Sequence, residues 1–223
     1  MGEEALRLTL ADGRSVAALR TPAEGAAAWL FLYAPGASGN VHDPFGAYAA
    51  RELSPHGVTT VRFQFPYAEA GRRTPDPPAV LEATWRAAIE AYRSPGAKLV
   101  AGGRSMGGRI ASRVVAQGTA VDALALFAYP LHPPGRPERT RDEHLPLIGV
   151  PTLFCSGTND AFASEEELRA AAAKVPRATL HFLDGADHGF APPRGSGRTR
   201  PDVWREAVSA LVAWLERMGT PPR

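Results

Sequence analysis

Short apolar runs alternate with amphipathic stretches along nearly the whole chain. Near the start, residues 6–10 and 15–19 flank Asp12-Gly13, a dipeptide typical of the tight turn between two antiparallel strands. Later runs are almost continuously apolar, as expected of strands that are covered on both faces. These predicted strands are residues 29–33, 58–65, 98–101, 123–129, 152–155 and 179–183.

The segments between these runs carry apolar residues at the spacing of one helix face. Sequence signals at their ends predict four helices. In the predicted helix that begins at Ser164, Glu167 follows three residues later, which is the spacing of a capping box. The predicted helices run from an N-cap at Asp76 to residues 94–96, from Ser105 to Gly118, from Ser164 onward, and from near Pro201 onward.

Alternating strands and helices predict an α/β fold with a mostly parallel central sheet and helices on both faces. The opening hairpin adds antiparallel strands at one edge. We see no internal repeat and no linker, so we expect residues 1–223 to form one domain. The longest irregular segment, residues 130–151, leaves room for little or no lid over a site.

Composition and charge exclude several classes of protein. The chain is 44% apolar and 22% charged, which excludes disordered, collagen-like and coiled-coil chains. Its 25 basic residues nearly balance 23 acidic ones. The arginine clusters at 136–141 and 194–200 lie among Pro, Gly and acidic residues, a pattern that favours solvated loops over a nucleic-acid surface. We therefore expect no nucleic-acid partner.

The N-terminus and the single cysteine bear on the compartment. The chain begins with acidic residues where a signal peptide would carry an apolar core. The longest apolar run, residues 26–34, is too short to span a membrane. Cys155 lies in a predicted strand, so we expect a buried thiol, and one cysteine allows no intramolecular disulfide. These features predict a cytoplasmic protein without a membrane partner.

Residues 103–107 read Gly-Arg-Ser-Met-Gly, which matches the pattern G-x-S-x-G. A predicted strand ends just before it and a predicted helix begins just after it, as in a nucleophile elbow. Such a turn holds the serine in a strained backbone conformation and exposes its hydroxyl. Gly102 and Gly108 give further clearance. The alternative is a purely structural turn between strand and helix.

A serine hydroxyl is a weak nucleophile and needs a base that is itself oriented by an acid. His188 follows the last predicted strand and has small neighbours, so it is our candidate base. Asp160 follows the preceding strand, so the chain order Ser105, Asp160, His188 fits the elbow. Asp184 remains an alternative acid. Asp187 adjoins His188, and adjacent side chains generally diverge.

The other histidines lack such a setting. His181 lies within a predicted strand, where we expect it to pack as a structural residue. The remaining four lie in predicted loops, where we expect exposure to solvent: His42, His56, His132 and His144. Neither a zinc-binding spacing nor the lysine of a phosphate loop is present, so we predict no metal and no cofactor.

An acyl-transfer site also needs hydrogen-bond donors for the oxyanion. One is expected to be the backbone N–H of Met106, which opens the helix after Ser105 and gains from the helix dipole. The second is expected to be the N–H of Ala37, in the Gly/Pro-containing loop after predicted strand 29–33. That loop is otherwise an ordinary turn.

Five segments carry a resemblance that covers nearly the whole chain. They are residues 35–39, 63–73, 102–108, 157–160 and 187–188. With them the chain resembles the small, lid-poor α/β-hydrolases, and more narrowly the KANL3/Tex30-like branch near the dienelactone hydrolases. Residues 63–73, which contain Phe-Gln-Phe-Pro-Tyr and Gly-Arg-Arg, are the narrower marker. Pro35 departs from the pattern, since relatives often have histidine there.

The residues and the resemblance together imply a serine hydrolase. We expect a small carboxylic ester or thioester as substrate, cleaved through an acyl-enzyme on Ser105. An arginine in the pocket would favour an anionic substrate. A non-catalytic binding or scaffold protein with the same fold is the alternative, and a homodimer is left open. Residues that we expect to line the pocket are Tyr67, Arg72, Tyr129 and Phe190.

Overall fold

The structure, a computed structural model that describes residues 2–219, is built around one eight-stranded sheet. In chain order the strands are β1 (Glu4–Thr9), β2 (Ser15–Thr21), β3 (Trp29–Ala34), β4 (Val58–Phe63), β5 (Lys98–Arg104), β6 (Ala123–Phe127), β7 (Thr152–Gly157) and β8 (Ala178–Leu183). Across the sheet their order is β1-β2-β4-β3-β5-β6-β7-β8. The pairs β1/β2 and β2/β4 are antiparallel, and all others are parallel. The predicted sheet is confirmed.

Helices cover both faces of this sheet. They are α1 (Pro44–Leu53), α2 (Pro66–Glu69), α3 (Pro78–Tyr92), α4 (Met106–Ala116), α5 (Glu165–Ala172) and α6 (Arg200–Gly219), with short 3-10 helices at Ser54–His56 and Leu145–Leu147. Apolar residues of α1 and α6 share one core, and those of α3, α4 and α5 share the other. Among residues 2–219, no helix is both long enough and apolar enough to cross a membrane.

The two cores explain why the central strands read as continuous apolar runs. In β3, Leu30 and Leu32 pack toward α3 and α4, whereas Phe31 and Tyr33 pack toward α1 and α6. Successive side chains of a strand point to opposite faces, so a strand covered on both sides must be apolar at every position. Cys155 belongs to the same pattern, and its thiol is fully buried as expected.

Two short helices were not predicted, and both lie next to the site described below. In α1, Asp43 caps the first turn through its carboxylate, which accepts a hydrogen bond from the Gly46 N–H at 2.9 Å. Pro44 opens the helix, and Phe45 and Leu53 are buried. An N-cap aspartate followed by proline is a recognisable start signal, so this helix was predictable. Helix α2 spans only four residues.

The predicted N-cap at Asp76 is wrong. Helix α3 starts at Pro78, and its N-cap Pro77 makes no side-chain capping bond. A proline at the N-cap has no side-chain oxygen that could accept from the N–H groups of the first turn, so the usual capping bond is missing. The Asp76 carboxylate instead accepts hydrogen bonds from the Tyr67 N–H at 2.8 Å and from Arg72 at 2.5 Å. The capping box of Ser164 and Glu167 is confirmed.

Two histidines expected to be exposed are at least partly buried. His132 is almost fully buried and its Nε2 lies 3.2 Å from a Glu167 oxygen. His144 packs against α4, where its Nε2 lies 2.7 Å from Ser112 Oγ. Burial, with the nearby charges of Arg113 and Arg109, lowers the pKa of His144 to about 4. The chain between β6 and β7 is therefore held to the body of the protein by polar contacts that the sequence did not reveal.

Acid should weaken the fold through His144. Its pKa falls from about 6.5 in the unfolded chain to about 4 in the folded protein, so the unfolded chain binds the proton more readily. The stability that neutral His144 contributes is fully present above its pKa in the unfolded chain. It is lost as the pH falls toward 4, by up to about 3 kcal/mol. Urea unfolding at about pH 7.5 and about pH 4.5 should show a smaller loss in His144→Gln than in wild type. The exposed-residue control His42→Gln should behave as wild type, and equal losses in all three proteins would contradict the assignment.

Candidate active site

Ser105 occupies a sharp turn between β5 and α4. Its backbone angles are φ 51° and ψ −120°, a region that side-chain-bearing residues rarely adopt. The Ser105 N–H donates to the Phe127 carbonyl at 2.8 Å, and the Ser105 carbonyl accepts from the Arg109 N–H at 3.0 Å. These bonds hold the strained turn in place at the carboxyl edge of the sheet.

Two glycines make the turn sterically feasible. A Cβ added at Gly103 would lie 2.0 Å from the Ala34 carbonyl oxygen, and one at Gly107 would lie 2.1 Å from the same atom. Gly103 also has φ 138°. Because the obstacle in both cases is backbone, the end of β3 can approach the turn only where these positions have no side chain.

The structure brings His188 and Asp160 to this serine. His188 lies in the loop after β8, and its Nε2 is 2.9 Å from Ser105 Oγ. Asp160 lies in the loop after β7, and its two carboxylate oxygens are 2.8 Å and 3.0 Å from His188 Nδ1. The Asp160 side chain is fully buried, whereas that of His188 is 22% exposed. A continuous chain of polar contacts therefore runs from a buried carboxylate to the hydroxyl.

The loops that carry these two residues brace each other. The Asn159 N–H donates to the Ala186 carbonyl at 3.0 Å, and the Gly185 N–H donates to Thr158 Oγ1 at 2.7 Å. Since Asn159 precedes Asp160 and Ala186 lies two residues before His188, these bonds fix the distance between acid and imidazole.

The alternative acids are placed elsewhere. One Asp187 oxygen accepts from the backbone N–H groups of Gly189 and Ala191, each at 2.8 Å, so this carboxylate closes its own turn. Asp184 is exposed. Asp160 is the carboxylate that contacts His188, as the sequence reasoning favoured.

Phe162 belongs to the site but was not singled out from the sequence. Its ring stacks on the His188 imidazole with 4.0 Å between centroids and 28° between planes. Its N–H also donates to Asp160 Oδ1 at 2.8 Å. An aspartate side chain that accepts from the backbone N–H two residues on forms a common turn. The sequence could therefore have indicated that Phe162 lies beside Asp160. Phe162 thereby restrains both the acid and the plane of the imidazole.

The two expected oxyanion donors lie beside the serine. Met106 is the first residue of α4, so its N–H has no carbonyl of the helix to bond. Ala37 lies in a turn closed by the Gly39 N–H, which donates to the Gly36 carbonyl at 2.9 Å. A Cβ built on Gly36 would be 3.5 Å from Ser105 Cβ, so this turn packs directly against the serine.

Tyr67 and Arg72 support that turn. The Tyr67 hydroxyl donates to the Ala37 carbonyl at 2.8 Å. Burial raises the pKa of Tyr67 to about 12, so the hydroxyl keeps its proton near neutral pH. Asp76 binds both the Tyr67 N–H and the Arg72 guanidinium. Because the side chain of Tyr67 is buried, its hydroxyl contacts the loop and its ring presents no surface to a substrate.

Tyr129 and Phe190 differ from the prediction that they line a pocket. Both side chains are completely buried, so neither presents a surface to a substrate. The Tyr129 hydroxyl donates to the Arg141 carbonyl at 2.9 Å, and the Phe190 ring packs on Phe45 with 5.2 Å between centroids. They are core residues that support the site from behind.

A cavity of about 840 Å³ lies away from Ser105, between the β1–β2 hairpin and α3. Its walls come from residues such as Leu10, Ala83 and Ala87. Within residues 2–219, no group of three or more His, Cys, Asp or Glu side chains is placed to hold a metal ion.

Residues 27–216 match a protein family described as an alpha/beta hydrolase domain. The chain belongs to this alpha/beta hydrolase family. The match covers most of the chain and includes all the elements that carry Ser105, Asp160 and His188. The narrower KANL3/Tex30-like resemblance stays a prediction.

Solved structures of other hydrolases share this fold. A dienelactone hydrolase from Anabaena variabilis is 17% identical, with a TM-score of 0.73 and coverage of 97% of each chain. An esterase domain from Rhodothermus marinus is 19% identical, with a TM-score of 0.71, covering 97% of this chain and 99% of that chain. A serine hydrolase without a lid from Xanthomonas campestris is 20% identical, with a TM-score of 0.72, covering 100% of this chain and 98% of that chain. At these identities the likeness establishes the fold.

The contact between β3 and the serine turn predicts a large effect of Gly107→Ala. Alanine usually favours a helix over glycine by about 1 kcal/mol, but here its methyl would meet the Ala34 backbone. We expect the free energy of unfolding to fall by about 2 kcal/mol or more in urea titrations. In the control Gly149→Ala the methyl meets open space, and the change should stay within about 0.5 kcal/mol. A Gly107→Ala protein as stable as wild type would show that the backbone can move aside.

Proposed function

We propose that this protein is a serine hydrolase that cleaves a small carboxylic ester or thioester. The observation that carries the proposal is the unbroken chain of contacts from Asp160 through His188 to Ser105 Oγ, all within 3.0 Å. The strained serine backbone and the two N–H groups beside it support the same chemistry.

The protonation states follow from what each group can donate. The Asp160 carboxylate can only accept, so His188 Nδ1 carries the proton toward it. His188 Nε2 then carries the free lone pair, and it accepts a hydrogen bond from the Ser105 hydroxyl. This tautomer is the one that a general base needs. Burial of the Asp160 side chain keeps water from competing for that bond.

Acylation proceeds in two stages. Ser105 Oγ attacks the acyl carbonyl while His188 takes the hydroxyl proton, and the carbonyl oxygen becomes an oxyanion held by the N–H groups of Met106 and Ala37. The imidazolium next to Asp160 then gives its proton to the leaving alcohol or thiol. The bond to the leaving group breaks, and the acyl group stays on Ser105 as an ester.

Deacylation repeats the sequence with water. His188 accepts a proton from water as the oxygen attacks the acyl-enzyme, and Ser105 receives that proton when it leaves. The products are the carboxylic acid and the free enzyme. Because the imidazole is partly exposed, water can reach the position beside it from which it attacks the acyl-enzyme.

An activated serine should react with a fluorophosphonate. We expect the probe to label wild type, with mass spectrometry locating the adduct on Ser105, and to leave Ser105→Ala unlabelled. The same variant should lose about a thousandfold or more in kcat/KM toward p-nitrophenyl acetate. Ser196→Ala, at an exposed serine far along the chain, serves as the control and should match wild type. Absence of labelling together with esterase rates equal to those of Ser105→Ala would favour a non-catalytic binding protein.

Tyr67→Phe tests the support of the oxyanion turn. Losing the bond to the Ala37 carbonyl frees the peptide that follows the second donor and loosens the turn around Ala37, so kcat should fall about tenfold with a smaller change in KM. Stability should drop by about 1 kcal/mol. The matched control is Tyr92→Phe, because the Tyr92 hydroxyl is buried and finds no hydrogen-bond partner among residues 2–219. Loss of stability without loss of kcat would assign Tyr67 a purely structural role.

A further inference from the structure

Phe162 links the site to the segment between β6 and β7. Its ring stacks on the His188 imidazole, and its N–H donates to the Asp160 carboxylate. Its carbonyl accepts from the backbone N–H of His132 at 3.1 Å. The Phe162 side chain is only partly buried, so burial alone does not hold it. Whatever fixes His132 therefore also restrains the residue that contacts both the base and the acid.

His132 lies where the chain after β6 changes from buried to exposed. Its side chain is 7% exposed, whereas residues 134–140 that follow are all exposed. Exposed segments with few packing contacts open more readily than the core does. An anchor at His132 therefore separates Phe162 from any motion of that exposed run.

The His132 imidazole makes two polar contacts. Its Nδ1 lies 2.8 Å from the Pro133 carbonyl oxygen, and its Nε2 lies 3.2 Å from Glu167 Oε2. Both partners are acceptors, so both ring nitrogens donate only when the imidazole is doubly protonated. Burial lowers the pKa of His132, and Arg141 also lowers it. The hydrogen bonds to Pro133 and Glu167, together with the Glu167 charge, outweigh both effects and raise the pKa overall, which favours an ion pair.

Glu167 is itself fixed at the start of α5. Its Oε2 accepts from the Ser164 N–H at 2.8 Å and from Ser164 Oγ at 2.7 Å, and its own N–H donates to Ser164 Oγ at 3.2 Å. Ser164 follows Phe162 by two residues, with buried Ala163 between them. The carboxylate that binds His132 therefore belongs to the same turn as Phe162. His132 holds this turn at two points, one through its backbone and one through its side chain.

We propose that His132 and Glu167 are positioning residues that hold Phe162 against the His188 imidazole. This inference rests on the proposed serine hydrolase function. The ion pair fixes the turn that carries Phe162, and the stacked ring then keeps the imidazole in the plane where it contacts both the acid and the serine hydroxyl. Small displacements of a general base are costly in rate, so supporting contacts of this kind affect kcat more than substrate binding.

The first test replaces the His132 imidazole with a ring that cannot donate. In His132→Phe the ring still fills the space, and the Glu167 side chain is 35% exposed, so its charge stays hydrated and the fold should survive. We expect kcat toward p-nitrophenyl acetate to fall about fivefold, while KM changes by less than about twofold. His132→Gln keeps a neutral donor and should lose less.

Two matched controls break comparable ion pairs elsewhere. His181 Nε2 also lies 3.2 Å from a glutamate oxygen, that of Glu206, and His181→Phe should keep the wild-type kcat. Glu167→Gln keeps a residue suited to the capping box but removes the charge, so kcat should fall about threefold. Glu165→Gln breaks the pair with Arg169 on the same helix and should leave kcat unchanged.

A double substitution distinguishes positioning from a simple loss of stability. Phe162→Leu removes the stacked ring and should lower kcat about tenfold. If His132 acts through that ring, adding His132→Phe to Phe162→Leu should change kcat by less than about twofold further. Equal losses from His132→Phe in both backgrounds would contradict the proposal.

A measurement without turnover reports on the imidazole directly. The proton on His188 Nδ1, bonded to Asp160, should give a far-downfield proton NMR signal in wild type. We expect this signal to be broadened in His132→Phe and unchanged in His181→Phe. A signal as sharp in His132→Phe as in wild type would show that the ion pair does not hold the imidazole.

The two proposals fail in different ways. Wild-type kcat in both His132→Phe and Glu167→Gln, in a protein that hydrolyses the ester and is labelled at Ser105, would refute the positioning role and leave the hydrolase intact. Absence of both hydrolysis and labelling would refute the hydrolase, and the NMR signal would still decide whether His132 fixes the imidazole. If His132→Phe fails to fold, Glu167→Gln provides the same comparison.

Discussion

The close approach of the β3 backbone to the serine turn is the constraint on which the rest of the site depends. The Ala34 carbonyl lies where a side chain at Gly103 or Gly107 would be. This contact allows α4 to begin immediately after Ser105 and leaves the serine at positive φ. The chain after Ala34 then turns directly against Ser105, which places the Ala37 turn beside the hydroxyl. One backbone contact therefore sets the position of both Ser105 and the turn that carries Ala37.

The parallel arrangement of the central strands provides the other half of the site. Strands β5, β6, β7 and β8 are parallel neighbours, so the residues that follow them emerge at the same edge of the sheet. Asp160 and His188 need only short loops to reach each other and the serine. The helices and cores hold these strand ends rigidly, which is why a buried carboxylate can act on a partly exposed imidazole at hydrogen-bond distance.

Local sequence signals predicted the sheet and the contacts among Ser105, Asp160 and His188. The serine motif, the strand ends and the chain order are all readable within a few residues of each position. The extent to which individual side chains are buried was less predictable. Ala128 and Phe190 adopt positive φ without being glycine, and such backbone reversals are set by tertiary packing. The burial of Tyr129 and Phe190 and the stacking of Phe162 on His188 depend on contacts between distant segments. Apart from the turn at Asp160, which points to Phe162, the chain nearby carries no signal for them.

The 22% exposure of the His188 side chain has a consequence for the choice of acyl acceptor. For the proposed chemistry, a covalent intermediate beside this partly exposed imidazole lies within reach of solvent water. A competing alcohol or amine would need a binding subsite of its own to outpace it. For the proposed chemistry, such access of water favours release of the free acid over transacylation.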